Sequence, residues 1–536
     1  MTAILPPSLQ RMMAGPIRPA NVLAVSCSVM LSGCSTSTEL AVAGDGLVQV
    51  PVAARPATGT LALRELIRRG IEYNPGIKSV ALDAAIRSQG VRREMAAFEP
   101  AFRATAGNEA AKRPLNTREL LATGLPGQAG RNFNDQTASY SAGLVGKLQT
   151  GTEYDLSFKG NRFKNDLNST SPSSLFYPEY DSFAGLTITQ PLLRGGGREV
   201  NLAQVNMAKA DERIAVLERT RKTEEIALEI TLRYCDLVFA CSEIGVRREG
   251  RRLADSLASD HAKRVEQGIG TNVEVLEAQS AAENRADEVE VAITRMIEVQ
   301  SELRKLVGPG EGLGSAAPPP AAAGVLFGVP ANRDSLIAFA IRNRLDYRQA
   351  RIGLEKQDIE VRYAKNQKWP QLDLNASCGV LGLDGSTGRA VSRAASGDNP
   401  FWSVGVSLTI PLGGSEADSQ LQAANLRKMQ ALLELQKIEQ QIVIEIEGQL
   451  AVLEVHRNRV ATARKTVEIA AKLLDAENQK LAGGTTTGFA VLEAQRNLIA
   501  ASSQELSAVN DYNRSAAKLA YMKGSLLGDV GFEVVE

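Results

Sequence analysis

Side chains that commonly do chemistry are scarce or isolated in this sequence. The two histidines, His261 and His456, stand inside helical runs with no cysteine or histidine at ligand spacing. Each is therefore expected to be a solvated helix position rather than a metal ligand. Cys235 and Cys241 lie six apart on one predicted helix, roughly 9 Å along its axis and on different faces. No disulfide joins such a pair without unwinding the helix. Cys378 falls in a predicted strand. There is no nucleophile–base pair and no phosphate loop, and GGG at 195–197 fits a strand-to-helix turn better. What remains are the carboxylates Glu274, Glu277 and Glu493, which stand just past glycine-bearing breaks in long helical patterns. Their chemistry is electrostatic: carboxylates gathered together attract cations. An enzyme is therefore the least expected reading, and no cofactor or metal site is expected.

The two breaks organise the chain. VLEAQ occurs at Val275–Gln279 and again at Val491–Gln495, once after EQGIGTNVE and once after LAGGTTTGFA. A repeat with matching interruptions fixes the architecture: two helix–break–helix units, a duplicated coiled-coil hairpin. Gly268, Gly270 and Thr271 in the first break, and Gly483, Gly484 and Thr486 in the second, let the chain reverse within a few residues.

The flanking elements also come in pairs. A helical pattern over 61–97, interrupted at Asn74-Pro75 and stopped by Pro100, is answered by one over 334–368, stopped at Trp369-Pro370. Each is followed by residues of period two: AFRATAG, YSAGLVGKL, TEYDLSFKG and AGLTITQPL in the first half, QLDLNASCGV and FWSVGVSLTIPL in the second. A Gly-containing turn at Gln149–Gly151 suggests a hairpin between the middle two runs. A Gly/Ser/Ala loop is expected between the strands of the second half. Phe176, Tyr177, Tyr180 and Phe183 suit either an interfacial aromatic girdle or loop aromatics packed on their own strand. The long helices follow at about 198–267 and 416–481, each returning through a helix of half its length. In the second, Ile446, Leu453, Val460, Val467, Leu474 and Leu481 keep a seven-residue interval, with Ala463 and Ala470 three residues on. A sustained 3.5-residue period is a coiled-coil seam.

Lys+Arg and Asp+Glu both number 61, so no electrostatic footprint points to nucleic acid. Arg11 and Arg18 precede the short apolar run ANVLAVSCSVML, which fits a secretory signal. The run ends at Leu31-Ser32-Gly33-Cys34, which resembles a bacterial lipobox. That resemblance implies acylation of Cys34, palmitate included; ordinary secretion with cleavage among the small residues is the alternative. The expected organisation is a signal peptide (1–33), a lipidated tether (34–60), a first repeat (61–307), a linker (308–333), a second repeat (334–527) and a short tail (528–536).

Spanning strands must close into a barrel, because no backbone polar group in a bilayer goes unpaired. Two strands per half give four per chain, fewer than the smallest barrel needs, so closure requires several copies. With its duplicated plan, Asn74-Pro75, Pro100, TQPLLRGG and the break-plus-VLEAQ segments, the chain resembles the TolC-like outer membrane efflux proteins over roughly 61–527. The resemblance implies a mainly helical fold with membrane β-structure: a homotrimer whose twelve-stranded barrel sits in outer membrane lipid above a helical periplasmic tunnel. It also implies docking of the tips to a periplasmic adaptor, itself coupled to an inner-membrane pump for efflux or type I secretion. Glu274 and Glu493 then fall where family members carry acidic residues lining the constricted entrance; a solvated coiled-coil face paired with Arg or Lys is the other reading. The first half offers four β-like runs where the family plan needs two, which leaves the place of the hairpin at 139–160 open. A periplasmic coiled-coil adaptor would carry one hairpin rather than two, and a structural envelope lipoprotein would have no use for the alternating strands.

Overall fold

The computed structural model describes residues 63–114, 132–170, 174–268, 271–308 and 333–532. The expected signal segment, the tether with Cys34, Gly270, the linker beyond Gly308 up to residue 332 and residues 533–536 lie outside the described residues.

The period-two segments form one antiparallel sheet of six strands in sequential order. They are β1 (Ala101–Pro114), β2 (Asn132–Lys147), β3 (Glu153–Asn165), β4 (Glu179–Pro191), β5 (Gln371–Asp384) and β6 (Pro400–Thr409). The strand count thus differs from the four per chain that the resemblance implies, because β2 and β3 are inserted as a complete hairpin between β1 and β4. Register carries one apolar row across all six strands: Phe102, Leu144, Leu156, Leu186, Cys378 and Trp402. The row beginning one residue before Phe102 runs Ala101, Val145, Asp155, Thr187, Ser377 and Ser403, and it faces the other way. The aromatic cluster divides accordingly. Tyr180 shares the face of Leu186, whereas Phe183 takes the opposite face and meets Phe401 edge-on at 5.9 Å. The segment between β5 and β6 is not a plain loop but contains a ten-residue helix, Thr387–Ser396.

The helices of ten residues or more are α1 (Leu63–Tyr73), α2 (Pro75–Met95), α3 (Ala203–Glu266), α4 (Asn272–Val307), α5 (Arg333–Asn343), α6 (Leu345–Gln367), α7 (Thr387–Ser396), α8 (Ser415–Ala482) and α9 (Gly488–Met522). At 1.5 Å per residue α3 and α8 are each about 100 Å long. The α1/α2 break arises because Pro75 has no N–H to donate, and Asn74 caps the new helix by accepting from the Gly76 N–H at 2.9 Å. Asn74 Nδ2 also donates to the Leu306 carbonyl at 3.2 Å, which ties the last turn of α4 to the α1/α2 junction. In this way α1, α2 and α4 lay a second track along α3. The second half repeats the plan with Arg344 at the α5/α6 break, where the sequence suggested one continuous helix.

The main core lies where these tracks meet. Leu66, Ile67, Ile230, Leu303, Val307 and Leu526 are nearly or fully sealed from solvent there, each contributing about 1.5–3 kcal/mol by burial. Along α8 the seven-residue seam turns inward: Ile446, Leu453, Ala463, Ala470 and Leu474 are buried. Sheet and rods are joined at a tight junction. The Leu192 N–H donates to the Leu372 carbonyl at 2.8 Å, and the Gly195 N–H to Asn366 Oδ1 at 2.8 Å. GGG at 195–197 is a strand-to-helix turn, leading through the one-turn helix Arg198–Asn201 into α3.

Candidate functional site

The two ends of the molecule carry the features that bear on function. At the sheet end, the face of Phe102, Leu186 and Trp402 is mainly apolar and the opposite face mainly polar, with the Phe183–Phe401 pair as an apolar exception there. The apolar face presents Phe102, Leu408, Val404 and Trp402 largely exposed, with Trp402 at 77%. Side-chain hydrogen bonds on the other face run between strands: Thr105 Oγ1 with Ser141 Oγ at 2.6 Å, and Thr187 Oγ1 with Ser377 Oγ at 3.1 Å. Strands of ten to sixteen residues meet the 9–11 residues a tilted transmembrane strand needs. No described helix is long and apolar enough to cross a membrane.

At the far end are the two breaks. Gly268 leaves α3 at φ 78°, in the left-handed region. Thr271 then caps α4: its Oγ1 accepts the Glu274 N–H at 3.4 Å, while Glu274 Oε2 accepts the Thr271 N–H at 3.2 Å. This reciprocal capping box engages the Glu274 carboxylate on its own helix start. After α8, Gly484 adopts φ 67° and the Thr485 N–H donates to the Lys480 carbonyl at 2.9 Å, which closes the helix end. Thr486 Oγ1 donates to Glu477 Oε2 at 3.1 Å. Lys480 first, and Thr486 after it, hold the Glu477 carboxyl below its usual range.

Glu493 pairs with Arg496 one turn on, and Glu277 is exposed. Among the described residues no hydrogen bond or ion pair links Glu274, Glu277 and Glu493 within one chain. Gly483 ends α8, Gly270 lies outside the described residues, and Cys34 does as well.

Contacts between the halves that local sequence pattern does not show bring the two hairpins together. Arg264 Nη2 donates to the Leu481 carbonyl at 2.8 Å, and Gln495 Nε2 donates to the Leu253 carbonyl at 3.3 Å. Leu257, Leu474, Val491 and Ala494 form a small apolar cluster behind them. His261 is not the solvated position expected; it is 3% exposed. It lies against Gly488, where a Cβ would stand 2.3 Å from His261 Nε2, so only glycine allows this approach. Its partner is more than two hundred residues away, and helical periodicity is blind to that. The glycine opening α9 was the one available signal. His456 is half-buried, 3.5 Å from Arg459 Nη1. Cys235 is buried, which with Asp236 beside it pushes the thiol up to about 12, and no disulfide occurs among the described cysteines.

A third feature lies near the α5/α6 break. Glu224 of α3 is buried, and burial first, then the Asp346 carboxylate, push its carboxyl up to about 7. Asp346 itself is held by Arg344, whose Nε stands 3.1 Å from Asp346 Oδ1, and which also pairs with Glu445 of α8.

Residues 336–525 match the family described as outer membrane efflux protein. A curated relative, the fusaric acid resistance protein FusA of Burkholderia cepacia, is 29% identical over 225 residues. That match covers 40% of this chain and 38% of the relative, so the chain aligns with well under half of the relative's length. A membrane protein from Pseudomonas aeruginosa has the same fold, with a TM-score of 0.60 at 16% identity over 89% of this chain and 98% of that one. The outer membrane protein VceC of Vibrio cholerae gives 0.57 at 16% identity over 88% and 96%. The second half thus matches the outer membrane efflux protein family by sequence, and most of the chain has the fold of the TolC-like outer membrane channels.

Proposed function

We propose that this protein is the subunit of a homotrimeric outer membrane duct, a passive exit for an efflux or type I secretion system. The observation that carries the reading is an open six-stranded sheet, apolar on one face and polar on the other, joined to two rods of about 100 Å. A lone sheet leaves the outer backbone groups of β1 and β6 unpaired, which a bilayer does not tolerate. Copies of the chain satisfy them by closing a barrel around the polar face. The rods then form a periplasmic tunnel, and the tips at Gly268–Thr271 and Gly483–Thr486 meet a periplasmic adaptor that connects to an inner-membrane pump. Glu274, Glu277 and Glu493 surround the entrance, and acylated Cys34 adds a lipid anchor. Cargo is chosen by the pump. Native mass determination of detergent-extracted protein tests the reading. A trimer is expected, and a monodisperse monomer with intact β-structure overturns it.

A further inference from the structure

Resting on that trimeric reading, we propose that the barrel has eighteen strands: six from each of three chains, with β6 of each copy pairing with β1 of the next. The inserted hairpin β2–β3 is then part of the membrane wall, not a loop laid over the mouth or folded into the lumen.

Four observations carry this. First, the hairpin is laddered on both sides. β2 pairs with β1 from Asn132↔Pro114 to Val145↔Ala101, and β3 pairs with β4 from Glu153↔Thr189 to Phe163↔Glu179. β1 and β4 are thus separated by two full strands along their whole length.

Second, the hairpin has the two-faced chemistry of a wall. Tyr140, Ala142 and Leu144 on β2, with Tyr154, Leu156 and Phe158 on β3, continue the apolar band between β1 and β4. The Tyr140 and Phe158 rings lie 6.1 Å apart on that face. Ser139, Ser141, Asp155, Ser157 and Lys159 take the opposite face, where Lys159 Nζ stands 3.5 Å from Asp155 Oδ2. A hairpin sitting in an aqueous lumen would gain nothing from an apolar band in register with its neighbours.

Third, the turn is anchored at the base of the sheet. The Gly197 N–H donates to the Thr150 carbonyl at 3.1 Å. Gly151 sits at φ 94°, where a Cβ would come within 2.6 Å of Asn201 Nδ2 and of the Gly195 carbonyl. The turn is therefore packed into the strand-to-helix junction of β4, level with the start of the rods.

Fourth, six is an even number. β1 leaves the rods and β6 returns to them, so β6 of one copy meets β1 of the next antiparallel, like every other ladder in the sheet. These two are also the most exposed strands along their length. A 4.8 Å strand spacing and a tilt of about 40° give a backbone diameter of roughly 36 Å for eighteen strands and roughly 24 Å for twelve. Six strands occupy an arc of about 38 Å per chain. Four helical tracks at about 9–10 Å spacing occupy nearly the same arc, so barrel and tunnel meet without a taper.

The test uses the purified full-length protein in lipid nanodiscs, imaged by electron cryomicroscopy after its mass has been determined. A trimer with eighteen strands is the expected result. A trimer with twelve strands overturns this inference while leaving the proposed function standing; a particle that is not a trimer overturns both. Thiol labelling in proteoliposomes gives an independent reading, in a background with Cys241→Ala and Cys378→Ala. With a membrane-impermeant reagent, Ser157→Cys is expected to label at least tenfold faster than Leu156→Cys. Equal labelling of both positions places the hairpin outside the wall and overturns the inference.

Discussion

Arg264 on α3 reaches across to the carbonyl of Leu481, one residue before the end of α8, and joins the two hairpin tips by a 2.8 Å hydrogen bond. Residues from opposite halves of a duplicated chain thus meet at the far end of the rods. The bond places a charged donor on a helix-end carbonyl that also accepts the Gly484 N–H at 3.1 Å, a position where cations are favoured by the helix dipole. With the half-buried apolar contact of Leu253, Leu481 and Leu492 beside it, it makes the tips one unit.

Replacing Arg264 should loosen this unit without unfolding the protein. Hydrogen bonds to charged groups contribute about 1.5–3 kcal/mol, toward the lower figure where water reaches them. Arg264→Ala is expected to raise single-channel conductance in planar bilayers, with the circular dichroism spectrum unchanged. Arg264→Lys should fall between the two. Conductance identical to wild type in both variants means the tip contact does not restrict the duct.

The entrance carboxylates make a separate prediction. Glu493→Gln removes the ion pair with Arg496, and Glu274→Gln weakens a capping box while keeping the amide able to hydrogen bond. Lower cation selectivity is expected from each and the largest loss from the double variant, because charges around a narrow mouth add. Unchanged reversal potentials in all three variants would show that these side chains do not face the conducting path.

The tips are also the expected adaptor contact. Cysteines at Thr271 and Thr486 should crosslink to the adaptor in intact cells. Crosslinks obtained only from positions midway along α3 or α8 would move the docking surface there. Thr486 is the more demanding site, since its hydroxyl is bonded to Glu477.

The rods were legible in the sequence because their signals are local and repeated. Ile446, Leu453 and Leu474 keep the seam inward, and the two glycine breaks end the helices within a few residues of their expected positions. The sheet was legible only in part. Alternation at 139–160 marked strands, but their place between β1 and β4 depends on pairing with residues well away along the chain. The helix α7 was lost because TGRAVSRAAS has the small-residue composition of a loop. Its Ala390 and Ala394 become buried, and the Ala390 carbonyl accepts from Ser182 Oγ at 2.9 Å, only once the sheet exists. The contacts of His261, Arg264 and Gln495 at the tips were invisible for the same reason: each is made with a partner in the other half.

Acylation at Cys34 has a direct check. Cys34→Ala should abolish incorporation of labelled palmitate while channels still insert, since the barrel itself holds the protein in the membrane. Label persisting in the variant rules the site out.

The last prediction concerns pH. Glu224 is buried beside Asp346, and its carboxyl is raised from 4.5 to about 7. An acid whose pKa is higher in the folded than in the unfolded state binds its proton more tightly when folded. Its contribution is therefore fully present below about pH 4.5 and is lost as pH rises through about 7. Above that window the ionised carboxylate is held against a like charge and away from water, at a cost of about 3 kcal/mol. Glu224→Gln keeps the shape and cannot ionise, so it should unfold at a higher temperature than wild type at pH 8 and at nearly the same temperature at pH 5. Thermal unfolding of the detergent-solubilised protein, followed by circular dichroism at both pH values, makes the comparison. A variant that gains nothing at pH 8 would mean that water or a cation reaches Glu224 in the assembled duct.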